Sequence, residues 1–318
     1  MDENFETRPI LDVSELRKLQ QREDLPSLIR LTIHYTVFVA LLIIVGKNLY
    51  SLPVMLLLSI ALAWVWSAIF APFHECTHQT AFRSPALNKF GTWLTGIPFL
   101  LAPSVYKTFH FEHHRYTQDV EKDPELLNDP RYLHWPTGLK NWLTMAAGLG
   151  LLNLKLSPTI GFALKPEARW KEFAKWVDRA PDKRQLVNES RIVLLVWLVF
   201  LLACITLIPG GGWLIFAAWF THVFQTLWVA SEHTGLPVDG NILRRTRTVT
   251  SNPFVRFWLW NMNYHAEHHA WPSIPWHQLA NAHQQIPEQL ESWIPSYSGL
   301  HRNIIDATNE PSCDPLRE

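Results

Sequence analysis

Three cysteines among 318 residues, Cys76, Cys204 and Cys313, are too few and too scattered for a disulfide framework, and they point to a reducing compartment. Net charge is also missing: 28 Lys and Arg balance 28 Asp and Glu, so no basic excess argues for nucleic acid. Internal repeats and low-complexity linkers are absent, which excludes solenoids and bead-on-string arrays. The opening stretch, MDENFETRPILDVSELRKLQQREDLPS, lacks the short apolar core of a secretory signal, so the N-terminus is expected to stay in the cytosol. The closing NEPSCDPLRE reads as a loose tail.

What the chain does have is apolar residues in long blocks: 48% of it is hydrophobic and 18% charged. Leu31–Gly46, Pro53–Pro72, Ile192–Ile208 and Trp213–Ala230 are such blocks; none holds Asp, Glu, Lys or Arg, and the first is broken only by polar groups that a membrane helix tolerates. Each approaches the ~17–25 residues needed to cross a hydrocarbon core. The first is the shortest, and Arg30 before it is placed to snorkel. Buried helices of a soluble core are the competing reading, but a soluble core rarely needs four such runs. Phe90–Val105 is interrupted by Gly91, Gly96, Pro98 and Pro103, and Trp142–Leu164 by Asn153, Lys155 and Pro158. Both fit helices lying in or dipping into the interface.

Short turns join the first two blocks and the last two, whereas Ala71–Arg191 between the pairs is long and carries 16 Lys and Arg. That bias puts the long segment and both termini on the cytosolic side. The expected fold is all-α: a multi-pass membrane protein with four transmembrane helices and a cytosolic helical cap. Residues 1–30 would be a cytosolic N-terminal segment, 31–309 the membrane domain and 310–318 the tail.

Eight of the 15 histidines fall into three tight groups: His74 and His78 in HECTH, His110, His113 and His114 in HFEHH, and His265, His268 and His269 in HAEHH. Residues at i, i+3 and i+4 share a helical face, so each group aims its imidazoles at one point. A single buried histidine is usually a satisfied core residue; three groups on one side of four spans are not explained that way. Eight imidazoles exceed the four ligands of a tetrahedral zinc, and two metals account for them better. Imidazole suits zinc, copper, iron or nickel, so ligand type does not name the metal.

His233, just past the fourth block, is a ninth candidate, or else a helix-terminal histidine bonded to carbonyls. His222 lies about 16 Å deeper at ~1.5 Å per residue and reads as a structural or tunnel residue. Cys76 points away from His74 and reads as packing. Glu75, Glu112, Glu232, Glu267, Asp119, Asp123, Asn261 and Asn263 flank the groups. They are candidates to hydrogen-bond metal-bound imidazoles, or ordinary solvated polar residues.

With HHRYTQDVEKDPE after the second box and NYHAEHHAWPSIPWHQL around the third, the three boxes resemble those of the integral-membrane fatty acid desaturase and hydroxylase superfamily. The resemblance runs from Pro53 to His283. It implies a cytosolic di-iron centre that uses O₂, with the eight box histidines as ligands and His233 as the extra ligand between boxes two and three. It also implies a lipid or acyl substrate held in the membrane. Three features set this chain apart. Val229 stands where some members have an asparagine, which would leave one coordination position to water or another residue. His265 stands where front-end desaturases have glutamine. No HPGG-type cytochrome b5 motif is present, so electrons would come from a separate ferredoxin, rubredoxin or cytochrome b5. The membrane would be the inner membrane of a bacterium or the endoplasmic reticulum of a eukaryote.

The expected reaction is desaturation of an acyl chain carried as lipid, CoA or carrier-protein ester. A carotenoid or lipid hydroxylase or ketolase on the same scaffold is the alternative. A zinc-dependent membrane hydrolase, or a metal-binding or lipid-sensing protein without activity, would leave most of the histidines idle. Arg244, Arg245 and Arg247 read as a docking patch for a redox partner, carrier or headgroup, or as positive-inside anchoring. Trp64, Trp66, Trp213, Trp228, Trp258 and Trp260 read as interface belts and span packing. His277 and His283 read as surface residues, and His34, His134 and His301 stand alone.

Overall fold

The structure, a computed structural model, describes residues 11–286 and 290–307. The predicted tail, with Cys313, lies wholly outside them. Asp12 caps α1 (Val13–Leu19) by accepting from the Ser14 amide at 2.7 Å. The next helix, α2 (Asp24–Lys47), begins seven residues before the apolar block. Asp24 favours a helix N-terminus electrostatically, and Pro26 costs nothing in a first turn.

The chain reverses at Asn48, in left-handed conformation with φ 52°, and enters α3 (Leu52–Ala68). At Ile69 the helix is interrupted and resumes as α4 (Phe70–Thr77), where Pro72 withholds an amide from the preceding turn. The interruption carries the HECTH box over the end of the second span.

Phe90–Val105 is not a span. It divides into α5 (Pro85–Gly96), a 3₁₀ turn at Ile97–Phe99 and the start of α6 (Pro103–Tyr116), which bears the second box. The short α7 (Pro124–Asn128) follows, capped by Asp123. Trp142–Leu164 lies within two helices, α8 (Leu139–Ala146) and α9 (Leu149–Leu164). They break at Gly148, where φ is 73° and a Cβ would stand 2.6 Å from the backbone carbon of His222. Only glycine combines that conformation with that approach.

Next come α10 (Lys183–Thr206) and α11 (Gly211–His233). The Gly210 amide between them donates to the Gly46 carbonyl at 2.9 Å, tying this turn to the end of α2. The C-terminal part holds α12 (Pro253–Trp258), α13 (His265–Ala270), α14 (Leu279–His283) and α15 (Tyr297–Asp306). A minimal parallel pairing of β1 (Thr248–Val249) with β2 (Trp293–Ile294) joins them.

In the bundle, α11 packs on α3, α2 and α9, and α10 packs on α9. Large apolar side chains point outward along α2 (Ile29, Ile33, Val39, Ile43) and α10 (Ile192, Leu195, Leu198, Leu202, Ile205). Such a belt is unfavourable in water and suits hydrocarbon. Among the described residues five helical stretches are long and apolar enough to cross a membrane: the four expected ones and Leu139–Leu164, which contains the Gly148 break. The chain is thus an all-α membrane protein. The N-terminal segment is not separate from the rest: Leu11 and Leu19 pack into one cluster with Tyr264, Trp271 and Leu279, and Gln20 Nε2 donates to Ser273 Oγ at 2.6 Å. Trp66, Trp228 and Trp260 are buried, as expected of packing residues.

Candidate metal centre

All nine candidate histidines meet above the bundle. His74 lies on α4 and His78 at its C-cap, box two on α6, His233 at the last residue of α11, and box three on α13. His74, His78, His110, His114 and His268 each bring a donor atom within 4.8 Å of the others. His113, His233 and His269 form a second group, and Glu232 with His233 and His265 a third, sharing His233.

The closest Nε2–Nε2 separations are His78–His110 at 2.8 Å, His110–His114 at 3.0 Å, His114–His268 at 3.2 Å, His113–His233 at 3.1 Å and His233–His265 at 2.9 Å. Two imidazoles at right angles about a shared ion, at the roughly 2.1 Å of a typical metal–imidazole bond, stand about 3.0 Å apart. Seven of the nine rings are buried, and His78 and His114 are half-buried. Both ring nitrogens of His74 and Nε2 of His269 are buried without a partner. A buried polar atom without a partner is costly, and a cation would supply one to His269 Nε2 and to one nitrogen of His74. The residues therefore fit metal ions, and five imidazoles beside a second group of three or four fit a pair better than one.

Electrostatics agrees. Burial pushes His78, His110, His114, His265, His268 and His269 well below 6.5, so their nitrogens carry lone pairs rather than charge. His113 is the exception: burial opposes its charge, but Asp123 and Glu125 outweigh burial and raise it to about 9. Carboxylates that favour a proton there favour any cation there.

The flanking polar residues divide. Asp123 accepts from His113 Nδ1 at 2.9 Å and from the amides of Gln118 and Glu125 at 2.8 and 3.0 Å, fixing ring and loop together. Glu232 lies 3.5 Å from His265 Nδ1, and Glu75 3.8 Å from His74 Nδ1. Glu75 spends its other oxygen on Thr80 and the Trp276 amide. Glu267 binds His283 Nδ1 and Thr248 Oγ1, both at 2.5 Å, and no box histidine. Glu112 pairs with Arg179 and Arg115, and Asp119 with Lys122. Asn261 and Asn263 donate to the carbonyls of Trp276 and Val249.

Two readings need correction. Arg245 and Arg247 are buried rather than presented to a partner or to headgroups. Arg245 donates to the carbonyls of Gly240 and Thr117, and Arg247 to those of Ser231 and Thr234, which fastens the loop behind His233. His283 is not a free surface residue, since it holds Glu267. His233 Nδ1 faces the Arg245 carbonyl at 3.1 Å, which turns Nε2 toward the cluster. His222 has the structural bond expected of it, from Nδ1 to the Ala218 carbonyl at 3.0 Å.

A cavity of about 700 Å³, open mouth included, runs from the cluster into the bundle. His74, His110, His113 and His265 line its polar end, and Leu101, Val105, Leu151, Leu154, Pro158 and Met262 its apolar walls. Val229, where a ligand asparagine was considered, lines it too. Glu125, Trp176 and Gln225 also line it and escaped the sequence reading. Glu125 follows the second box closely enough to have been suspected. Trp176 and Gln225 carry no signal in their spacing.

The family model for fatty acid desaturases matches residues 50–299, and the chain belongs to that family. It is 25% identical over 283 residues to the human sphingolipid delta(4)-desaturase/C4-monooxygenase DES2, covering 80% of this chain and 76% of that one. It is 26% identical over 250 residues to the Arabidopsis thaliana sphingolipid delta(4)-desaturase DES1-like protein, covering 76% and 67%. The rice protein of the same name is 24% identical over 254 residues, covering 76% and 68%. The chain is therefore a membrane oxidoreductase of the desaturase and hydroxylase class, acting in lipid metabolism.

Proposed function

We propose that the protein desaturates the alkyl chain of an amphiphilic membrane lipid, using O₂ and two irons held by His74, His78, His110, His113, His114, His233, His265, His268 and His269. The observation that carries this reading is an apolar cavity ending on a cluster of nine imidazoles. An unactivated C–H bond offers no acid, base or nucleophile anything to act on, and iron supplies the redox chemistry with O₂ that removes hydrogen. The overall balance takes two hydrogens from adjacent carbons. With two electrons and two protons from a separate donor, it reduces one O₂ to two waters.

The chain's residues bind and position. Leu101, Val105, Leu151, Leu154 and Met262 hold the alkyl chain along the apolar walls of the cavity. The same cavity brings its carbons to the face formed by His74, His110, His113 and His265. Misplacement by about an ångström can cost a hundredfold in rate, so these walls decide which carbon reacts. Retaining one oxygen on the chain instead would give an alcohol. The relatives whose names combine desaturase and C4-monooxygenase support hydroxylation as the second reading.

Parity supports four crossings with the whole centre on one side of the membrane, and the 16 Lys and Arg of Ala71–Arg191 support that side being the cytosolic one. His113 and His233 are 3.1 Å apart although α8 to α11 lie between them in sequence. Full crossings by α10 and α11 alone return the chain to the starting side; a third by α8–α9 would separate the two rings by a membrane.

Mass-spectrometric lipid profiling of cells expressing the chain, beside empty-vector cells, tests the activity. Loss of two hydrogens from a lipid chain is the expected change, and gain of one oxygen would select the second reading. No change in a host supplied with sphingolipids, acyl lipids and an electron donor would overturn both. A second prediction concerns Asp123. Asp123→Asn keeps the shape and removes the charge behind His113, so iron affinity should fall roughly ten- to a hundredfold in a chelator competition. Unchanged affinity would remove Asp123 from the site's support.

A further inference from the structure

Two polar side chains in the cavity have no place in the reading above. Lys155 on α9 is 2% exposed, in a helix whose neighbouring cavity residues are Leu151, Leu154 and Pro158. Its Nζ donates to Gln225 Oε1 at 2.5 Å and stands 4.7 Å from the Phe99 ring centre and 5.9 Å from that of Phe70. Gln225, on α11 opposite, is fully buried, and its Nε2 has no partner. A lysine amine with one acceptor and an amide with idle donors, facing the same apolar cavity, are expensive in a membrane interior. If a hydrocarbon tail filled the cavity, every one of those donors would remain unmet. A structural tie between α9 and α11 would need no spare donors turned toward the cavity.

We propose that Lys155 and Gln225 form a subsite for a hydrogen-bond-accepting oxygen at the polar end of an amphiphilic lipid, a carboxylate, hydroxyl or amide. The substrate then enters the cavity polar group first or lies with that group inside it, and does not thread its methyl end to this point. Distance limits where oxidation falls. The Phe70 ring centre is 6.5 Å from that of His74 and 5.9 Å from Lys155 Nζ, so Lys155 and His74 are at most about 12 Å apart. The carbons presented to the histidines therefore belong to the stretch adjoining the polar group. The subsite deepens the proposed function by naming what part of the lipid is recognised, and it rests on that reading only for what happens at the histidines.

The test uses the full chain in nanodiscs and a pyrene-labelled alkane as the displaced probe. Octadecane, octadecanoic acid, octadecanol and N-methyl octadecanamide compete against it, dosed by membrane mole fraction. The wild type should prefer at least one oxygenated ligand over octadecane by about tenfold, the effect of one buried hydrogen bond. Preference for the acid would identify a carboxylate as the occupant, and preference for the alcohol and amide a neutral lipid headgroup. Lys155→Met, of similar length and apolar, and independently Gln225→Leu should flatten the preference, with the oxygenated ligands bound more weakly and octadecane bound no more weakly than by the wild type, and Lys155→Arg should keep part of the preference. No preference in the wild type, or the same preference in both variants, would overturn the subsite. The failure of the proposed function is read separately: a protein that binds with this preference but oxidises no lipid keeps the subsite and loses the desaturase reading. One that oxidises lipid without preference does the reverse.

Discussion

Replacing His113 with alanine should lower lipid oxidation at least about a hundredfold while the protein still folds and inserts. His113 belongs to the second group of donors, with Nε2 3.1 Å from His233 and Nδ1 on Asp123. Its removal takes a donor from the second group and leaves His233, His269 and His265 to hold a cation with the Glu232 carboxylate. Loss of support for a ligand alone typically costs ten- to a hundredfold, so loss of the ligand itself should cost no less. The fold has reason to survive. Asp123 retains the amides of Gln118 and Glu125, so its carboxylate is not left buried and unpaired, and α6 keeps its other contacts. Turnover on lipid, iron content per chain and the thermal midpoint, measured on the same preparation, check this. Wild-type turnover with a full iron complement would remove His113 from the metal site.

Removing the metal should have an effect at least as large, and it separates the chemical readings. Stripping by a chelator should abolish oxidation and lower the thermal midpoint, because a ligand that binds only the folded chain stabilises it by mass action. Nine converging imidazoles exist only in the fold, since they come from α4, α6, α11 and α13. Two Fe(II) per chain should restore both activity and midpoint. Zinc should restore the midpoint alone: imidazole accepts it readily, but it has no redox chemistry. Lipid hydrolysis by the zinc-loaded protein would replace the desaturase reading with the hydrolase one. Oxidation by the metal-free protein would end the metal reading altogether.

The sequence was most legible where chemistry and periodicity coincide. Imidazoles at i, i+3 and i+4 can meet a common point only from a helix, so the boxes declared both their secondary structure and their shared target. The four apolar blocks were legible because hydrocarbon demands an uninterrupted length of apolar side chains. The interrupted stretches were less so. Gly148 marks a break in Trp142–Leu164, but spacing does not say that it turns α9 against His222. Arg245 and Arg247 misled because charge in a loop ordinarily means solvent. Here the carbonyls of α11 and neighbouring loops supply enough acceptors to keep guanidinium groups buried.

By itself, then, the sequence determined an all-α membrane chain and a set of imidazoles, because both follow from local rules of length and helical spacing. Tertiary structure alone decided which carboxylates stand behind the rings. Asp123, Glu232 and Glu75 face box histidines, whereas Glu112, Glu267 and Asp119 turn to Arg179, His283 and Lys122. It also decided the cavity and the meeting of Lys155 with Gln225, 70 residues apart in the chain. Adjacency in sequence places a polar group near a ring, but its direction depends on which helix packs against it, and that is a non-local outcome of burying apolar surface.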